Sequence, residues 1–170
     1  MSTHASIEKA GEKAGERRAS RVTGALEALG RASLRMTPQR IAIVRAFVDD
    51  DGHPTAQQIF ERLHRAMPTT SFATVYNTLA ALERAGSCRT LRIAGATDDG
   101  TARFDPNVAP HDHAVCDRCG AVRDVPAPAQ GEPAAPLDDG FEVRSVERVY
   151  RGLCERCRKG AHRRPPSRAR

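Results

Sequence analysis

Four cysteines set in two pairs, Cys116-Asp117-Arg118-Cys119 and Cys154-Glu155-Arg156-Cys157, constrain this chain more than any other feature. Each pair is a C-x-x-C knuckle, and 34 residues separate the two knuckles. A knuckle turns two thiolates toward one ion without straining the backbone, and two knuckles complete a closed tetrahedral zinc shell. A catalytic zinc needs an open position, which four sulfurs do not leave. The expected ion is therefore structural, and the reason for the protein lies elsewhere. Other uses of these cysteines fit less well. Two disulfides suit a small secreted domain, whereas Met1 to Ser20 is polar and charged and carries no apolar signal segment. A thioredoxin-like motif uses one C-x-x-C near a βαβ pattern, which surrounds neither pair. An iron–sulfur cluster also takes four thiolates and stays as the alternative to zinc. Cys88, the fifth cysteine, has no partner in sequence and reads as a small buried strand residue.

A chain of 170 residues holds one domain or two small ones. Its formal net charge of +6 favours a polyanionic partner. That charge is uneven: Arg158 to Arg170 carries six Lys/Arg, no acid and the pair Pro165-Pro166. Residues 159–170 read as a disordered basic tail, either solubilising or touching phosphates. Residues 1–20 mix charge signs, lack an apolar face and read as a flexible extension or frayed helix. No apolar run approaches the roughly 18 residues of a membrane span, so the expected location is the cytoplasm, with no membrane partner.

Helical periodicity dominates the first half. Val22 to Leu29 is a short amphipathic piece with Val22, Leu26 and Leu29 on one side. Thr37-Pro38 opens the next helix as cap and first-turn proline, and Ile41, Val44 and Val48 follow at helical spacing. A third helix starts after His53-Pro54 with Thr55 as cap, faces Ile59, Phe60 and Leu63 inward, and is closed by Pro68. Ser71 caps a fourth, in which Phe72, Val75, Leu79 and Leu82 form the expected buried stripe and Gly86 the end. Two helices joined by a tight polar turn make a helix-turn-helix. Its second helix turns Ala73, Thr74, Tyr76, Asn77 and Arg84 outward, residue types that meet bases and phosphates. Strand-like Ser87–Ile93 and Thr101–Phe104 flank Gly95-Ala96-Thr97-Asp98-Asp99-Gly100. Three helices and such a hairpin form a winged helix.

From His111 the period changes to two. His111, His113 and Val115 share one strand face, and Val122 and Asp124 one face of the next. Val125–Gly140 holds Pro126, Pro128, Pro133 and Pro136 and cannot be a long helix. Phe141–Tyr150 returns as a strand before the second knuckle. Beside His111 and His113 stand Asp124, Asp105 and His53, a nitrogen–oxygen donor set that suits iron(II), manganese(II) or zinc. Taken alone, His111-Asp112-His113 is also an ordinary surface strand, and His53 an ordinary loop histidine. His4 and His162 lie in the terminal extensions, and His64 reads as an exposed helix residue.

These residues resemble the ferric uptake regulator family of metal-dependent repressors. The matching stretches are Thr37-Pro38-Gln39-Arg40, His53-Pro54-Thr55-Ala56, Ala73-Thr74-Val75-Tyr76-Asn77-Thr78-Leu79 and Arg103-Phe104-Asp105. They continue through His111-x-His113-x-x-Cys116-x-x-Cys119-Gly120 to Tyr150-x-Gly152-x-Cys154-x-x-Cys157, so the resemblance covers about Ser33 to Lys159. Within the family it is similar to the peroxide-responsive branch, which places aspartate where Asp124 stands and resembles this chain at Asn77. The resemblance implies an α+β protein: an N-terminal winged-helix DNA-binding domain over 21–105, then a small β-rich zinc-stabilised dimerisation domain over 106–158. It implies a homodimer on double-stranded operator DNA, with Arg40, Ser71, Thr74, Tyr76 and Asn77 as DNA-binding residues. Cys116, Cys119, Cys154 and Cys157 match its structural zinc ligands. His53, Asp105, His111, His113 and Asp124 match its regulatory ligands for Fe2+ or Mn2+. In that branch bound iron reacts with hydrogen peroxide, the signal, and oxidises a ligand histidine matching His53 or His111, releasing DNA.

Two places depart from the family pattern. Pro126–Pro136 stands where a dimerisation helix is usual. A further metal site would pair Asp112 with positions near Pro110 and Val146, whose side chains cannot coordinate, so that site is expected to be absent. The expected function is a peroxide-sensing repressor of oxidative-stress genes. An iron- or zinc-responsive uptake regulator of the same fold stands as the alternative. A hydrolytic metal enzyme built on His111, His113 and a carboxylate lacks a nucleophile pattern, and a zinc-stabilised protein-interaction module would bind no promoter DNA.

Overall fold

The computed structural model describes residues 3–93, 101–127, 140–142 and 146–160, and of residues 3–14 only the backbone path. It divides into two compact units. One takes the chain as far as Leu91 together with Ala102–Val108; the other takes the remainder. The expected wing turn at 95–100, most of the proline-rich segment and the tail from 161 lie outside the described residues.

The first unit opens with helix α1, Thr3–Arg31. The sequence reading left residues 1–20 as a flexible extension or frayed helix and set a separate short helix over Val22–Leu29; the structure joins Thr3–Arg31 in one helix. The Ala, Glu, Lys and Arg of this stretch are strong helix formers, and they outweigh Gly11, Gly15 and Gly24 at up to about 1 kcal/mol each. Ala25, Ala28 and Leu29 near its end are buried. The helix closes as a Schellman turn: Ser33 takes φ 57°, its N–H meets Gly30 O, and Leu34 N–H meets Leu29 O at 3.2 Å.

Three capped helices follow. In α2, Pro38–Val48, the Thr37 side chain accepts the Arg40 N–H and proline takes the first turn. In α3, Ala56–His64, Thr55 and Gln58 form a capping box, with Gln58 N–H on Thr55 Oγ1 at 3.1 Å and Thr55 N–H on Gln58 Oε1 at 2.9 Å. In α4, Phe72–Arg84, Ser71 Oγ accepts the Thr74 N–H at 3.1 Å. Their inner faces close one core of Ile43, Val44, Phe47, Ile59, Val75, Leu79 and Leu82. Phe72 does not belong to it. It is 43% exposed, with its ring edge-on to Phe60 at 5.9 Å. A helical side chain leans over the turn N-terminal to its own Cα, and at the first position of α4 that direction leads off the helix.

Strands β1, Arg89–Leu91, and β2, Arg103–Asp105, pair antiparallel with Arg89 opposite Asp105 and Leu91 opposite Arg103, shorter than the spans read from sequence. With the helices they make a winged helix. Cys88 is buried, as expected, but precedes β1 rather than lying in it. Burial, then the charges of Glu83 and Asp105, push its thiol up to about 12, so it stays neutral and acts as a small apolar side chain.

The second unit is a three-stranded sheet in the order β4-β3-β5, with β3 at His111–Cys116, β4 at Val122–Pro126 and β5 at Val149–Gly152. β3 and β4 run antiparallel, with His113 opposite Asp124 and Val115 opposite Val122. β5 lies parallel to β3, from His113↔Val149 to Cys116↔Gly152. Among the described residues, the strand expected over Phe141–Tyr150 is present at Val149 and Tyr150 and runs on to Gly152, where the chain lies beside β3. Pro126 is tolerated at the end of β4 because that strand is an edge, with no second ladder to supply. One turn of helix, α5 at Glu155–Arg158, follows. Among the described residues no helix is long and apolar enough to cross a membrane.

Leu79 sits fully buried in the first core. Leu79→Ala is expected to destabilise the protein by roughly 2–5 kcal/mol, the usual cost of a cavity at such a site, measured by denaturant unfolding.

Candidate metal centres and nucleic-acid interface

The knuckles are built by different elements. Cys116 ends β3, and the chain turns back through Gly120, which takes φ 69° and donates its N–H to Cys116 O at 2.8 Å. Cys154 is the N-cap of α5 and Cys157 lies within it. The four Sγ atoms lie within 4.8 Å of one another, and Cys119 Sγ and Cys154 Sγ are 3.8 Å apart. A tetrahedron with zinc–sulfur bonds of about 2.3 Å places its sulfurs about 3.8 Å apart. The donor set fits a structural zinc.

Protonation differs sharply within this cluster. Burial opposes ionisation of Cys116, yet backbone N–H groups of Cys154, Cys119 and Arg118 outweigh it and bring that thiol down to about 6. Burial and its three sulfur neighbours push Cys157 up to about 12, and burial raises Cys119. Four thiols this close cannot all ionise without a cation among them. Arg118, inside the first knuckle, donates from its guanidinium to the Cys157 carbonyl and so ties one knuckle to the other.

The nitrogen–oxygen groups fall into two sets, one in each unit. In the first unit His53 follows the Asp49-Asp50-Asp51-Gly52 loop and Asp105 ends β2; both are buried, with His53 Nε2 3.6 Å from Asp105 Oδ1. In the second, His111 and His113 point to one face of β3. Their Nε2 atoms lie 3.0 Å apart, and His111 Nε2 lies 3.6 Å from Asp124 Oδ1. The pairing of His113 with Asp124 across β3 and β4 brings that carboxylate to the same face. His111 Nδ1 lies 2.8 Å from Ala109 O. A carbonyl can only accept, so Nδ1 carries the proton and Nε2 presents its lone pair toward His113 and Asp124. Asp112, on the opposite face, receives the Tyr150 hydroxyl at 3.3 Å and pairs with Arg148 at 3.9 Å.

The candidate DNA-reading face is α4. Tyr76 is 54% exposed, and Ala73, Asn77 and Arg84 also face solvent. Ser71 and Thr74 are committed to the helix start, their hydroxyls 2.9 Å apart. Arg40 stands apart on α2, half buried, with one guanidinium arm on the Arg35 carbonyl.

Residues 31–151 match the Ferric uptake regulator family. The chain belongs to that family. It is 36% identical over 137 residues to the peroxide operon regulator of Bacillus subtilis, covering 79% of this chain and 92% of the relative. It is 32% identical over 136 residues to the peroxide-responsive repressor PerR of Staphylococcus epidermidis, covering 79% and 88%. Among solved structures, the Helicobacter pylori ferric uptake regulator Fur superposes with TM-score 0.61 at 18% identity, over 81% of this chain and 93% of that one. That likeness is one of fold. As a family member the protein is a metal-responsive transcription regulator, not an enzyme, so the hydrolytic reading is discarded.

Sequence reasoning missed the two arginines that brace these sites, Arg103 and Arg118. Arg103 is buried, and its signal was available: a charged residue beside Phe104 in a short strand must find partners inside.

Cys116→Ser is expected to cost the second unit its fold, since structural zinc binding is folding free energy; circular dichroism and zinc content report it, and a folded zinc-bound variant would sink the assignment. Zinc affinity should also fall with pH. Cys119 and Cys157 are protonated at neutral pH and must lose their protons to bind, so zinc affinity should drop about a hundredfold as the pH falls from 8 to 7, read by competition with a chelator of known protonation.

Proposed function

We propose that this family member is a homodimeric repressor that binds operator DNA when a regulatory cation is present and lets go when hydrogen peroxide damages a ligand. The observation that carries the reading is the pair of imidazole–carboxylate sets, one in each unit. His53 with Asp105 offers two donors, and His111, His113 and Asp124 offer three. Neither set alone fills the coordination shell of an iron(II) or manganese(II) ion. One ion taking all five ligands would tie the DNA-reading unit to its neighbour, an element whose equilibrium an effector can bias. Turning such an equilibrium from mostly off to mostly on takes about 5 kcal/mol, within reach of a multidentate site. Mixed nitrogen and oxygen donors suit iron(II) and manganese(II), and equally zinc.

The peroxide reading is supported by the resemblance to regulators named for that response and by aspartate, rather than glutamate, at position 124. His53, Asp105, His111, His113 and Asp124 would hold the cation, and iron(II) there would supply the reducing electrons for peroxide beside the imidazoles. What the protein contributes is placement: His111, its Nδ1 held by Ala109 O, presents Nε2 at the cluster. His53, buried beside Asp105, is the other candidate for oxidation. An imidazole that gained oxygen would be a poorer donor, which would weaken the hold of these residues on the cation. Manganese in the same place would leave the repressor deaf to peroxide. On DNA, Asn77 and Tyr76 read bases from α4 while Ser71, Thr74 and Arg40 meet phosphates. The second unit pairs the subunits, for which exposed Val149, Tyr150 and Leu153 supply apolar surface. A protein acting on chromosomal operators works in the cytoplasm.

The deciding experiment is binding of the zinc-loaded protein to its own promoter DNA. The conditions are no added metal, manganese, and iron without oxygen, each before and after dilute peroxide. Loss of binding only in the iron form is the expected outcome. Survival in both forms would make the protein an iron- or zinc-responsive uptake regulator, and no binding in any form would leave an interaction module. Asn77→Ala should relax base choice at one operator position at a cost of roughly 1–3 kcal/mol; an equal loss on every sequence would mean a phosphate contact instead.

A further inference from the structure

We infer that Arg103 is a positioning residue that sets the imidazole of His53 for the regulatory cation. The inference rests on the reading of His53 as a ligand and deepens it. His53 stands at φ 53°, in the left-handed region that L side chains rarely adopt. A residue stays there only where its surroundings over-determine it, and those surroundings are specific. On the upstream side Asp50 Oδ1 accepts the Gly52 N–H at 2.7 Å, while Arg62 pairs with the other carboxylate oxygen. At the turn itself Arg103 Nη1 donates to two successive carbonyls, Gly52 O at 3.2 Å and His53 O at 2.9 Å. Downstream, Phe104 N–H meets Pro54 O at 3.0 Å, and Thr55 bridges to Arg103 itself.

All the downstream contacts come from β2, the strand that also carries Asp105, 3.6 Å from His53 Nε2. One short strand therefore fixes both the backbone that bears the imidazole and the carboxylate that faces it. Arg103 is the side chain that holds the strained residue, and it is buried, with 8% of its surface exposed. Its guanidinium keeps its charge and its planar fork under all conditions, so the grip does not depend on pH. Without it, His53 can relax out of the left-handed region and carry its imidazole away from Asp105. The capping box of α3 and the apolar core do not use this side chain and remain.

The test is a double-mutant cycle in the full-length, zinc-loaded protein, read as manganese(II) affinity by equilibrium dialysis. Thermal melting without manganese controls for the fold. Arg103→Gln should weaken manganese binding by about 10- to 100-fold, the range for groups that orient metal ligands. In a His53→Ala background the same substitution should cost nothing more, because the residue it orients is gone. An equal loss in both backgrounds would make Arg103 a general structural residue, and no loss in either would make it dispensable; both overturn the inference. If His53→Ala itself binds manganese as tightly as the native protein, the ligand reading falls and takes the inference with it. Should Arg103→Gln not fold, Arg103→Lys carries the same cycle, with a smaller loss expected that again vanishes in the His53→Ala background.

Discussion

Four thiols gathered within 4.8 Å are the interaction on which the second unit depends. Among the described residues the buried apolar cluster of that unit is Val115 and Val122, with Ile93 packed against them. A cluster of that size contributes little against the conformational entropy of ordering a sheet. The cysteines stand where they can replace it. Cys116 closes β3, Cys154 and Cys157 belong to the turn of helix after β5, and Arg118 ties the first knuckle to the second. A zinc ion, which this cluster fits, would tie the end of β5 to the end of β3.

The first unit is held by the opposite means. Its core of Ile43, Phe47, Ile59, Leu79 and Leu82 is fully buried, and α2, α3 and α4 each start on a capping hydroxyl. Rigidity there serves two purposes. It presents Tyr76 and Asn77 on a fixed helix, and it supports a strained residue, His53, at the edge of the core. The same short strand supplies Arg103 and Asp105, so one element braces the His53 turn and carries the carboxylate that faces its imidazole.

Much of this was legible in the chain because it is written in local chemistry. Thr37-Pro38, Thr55 and Ser71 mark helix starts through a hydroxyl that must meet an orphan N–H, and α2, α3 and α4 begin there. The alternation of His111, His113 and Val115 marks a strand face by period two. Where the reading failed, the deciding force was not local. Residues 3–20 are helical although nothing amphipathic announces it, and Phe72 leaves the apolar stripe because its side chain leans off the start of α4, where its ring stands edge-on to Phe60. Strand ends at Leu91, Arg103 and Val149 were misplaced because pairing, rather than propensity, sets them.

The sequence by itself determined which atoms could bind metal: the spacing of C-x-x-C and of His-x-His suffices, since each motif closes within one turn or one stretch of strand. It also determined the winged-helix order, through periodicity and caps. Only the tertiary structure decided that four sulfurs from distant segments converge, that Asp124 lies across from His113, and that a buried Arg103 grips the turn before Pro54. Those facts depend on long-range register and on the satisfaction of buried carbonyls, and a linear pattern carries no record of which distant group will meet which.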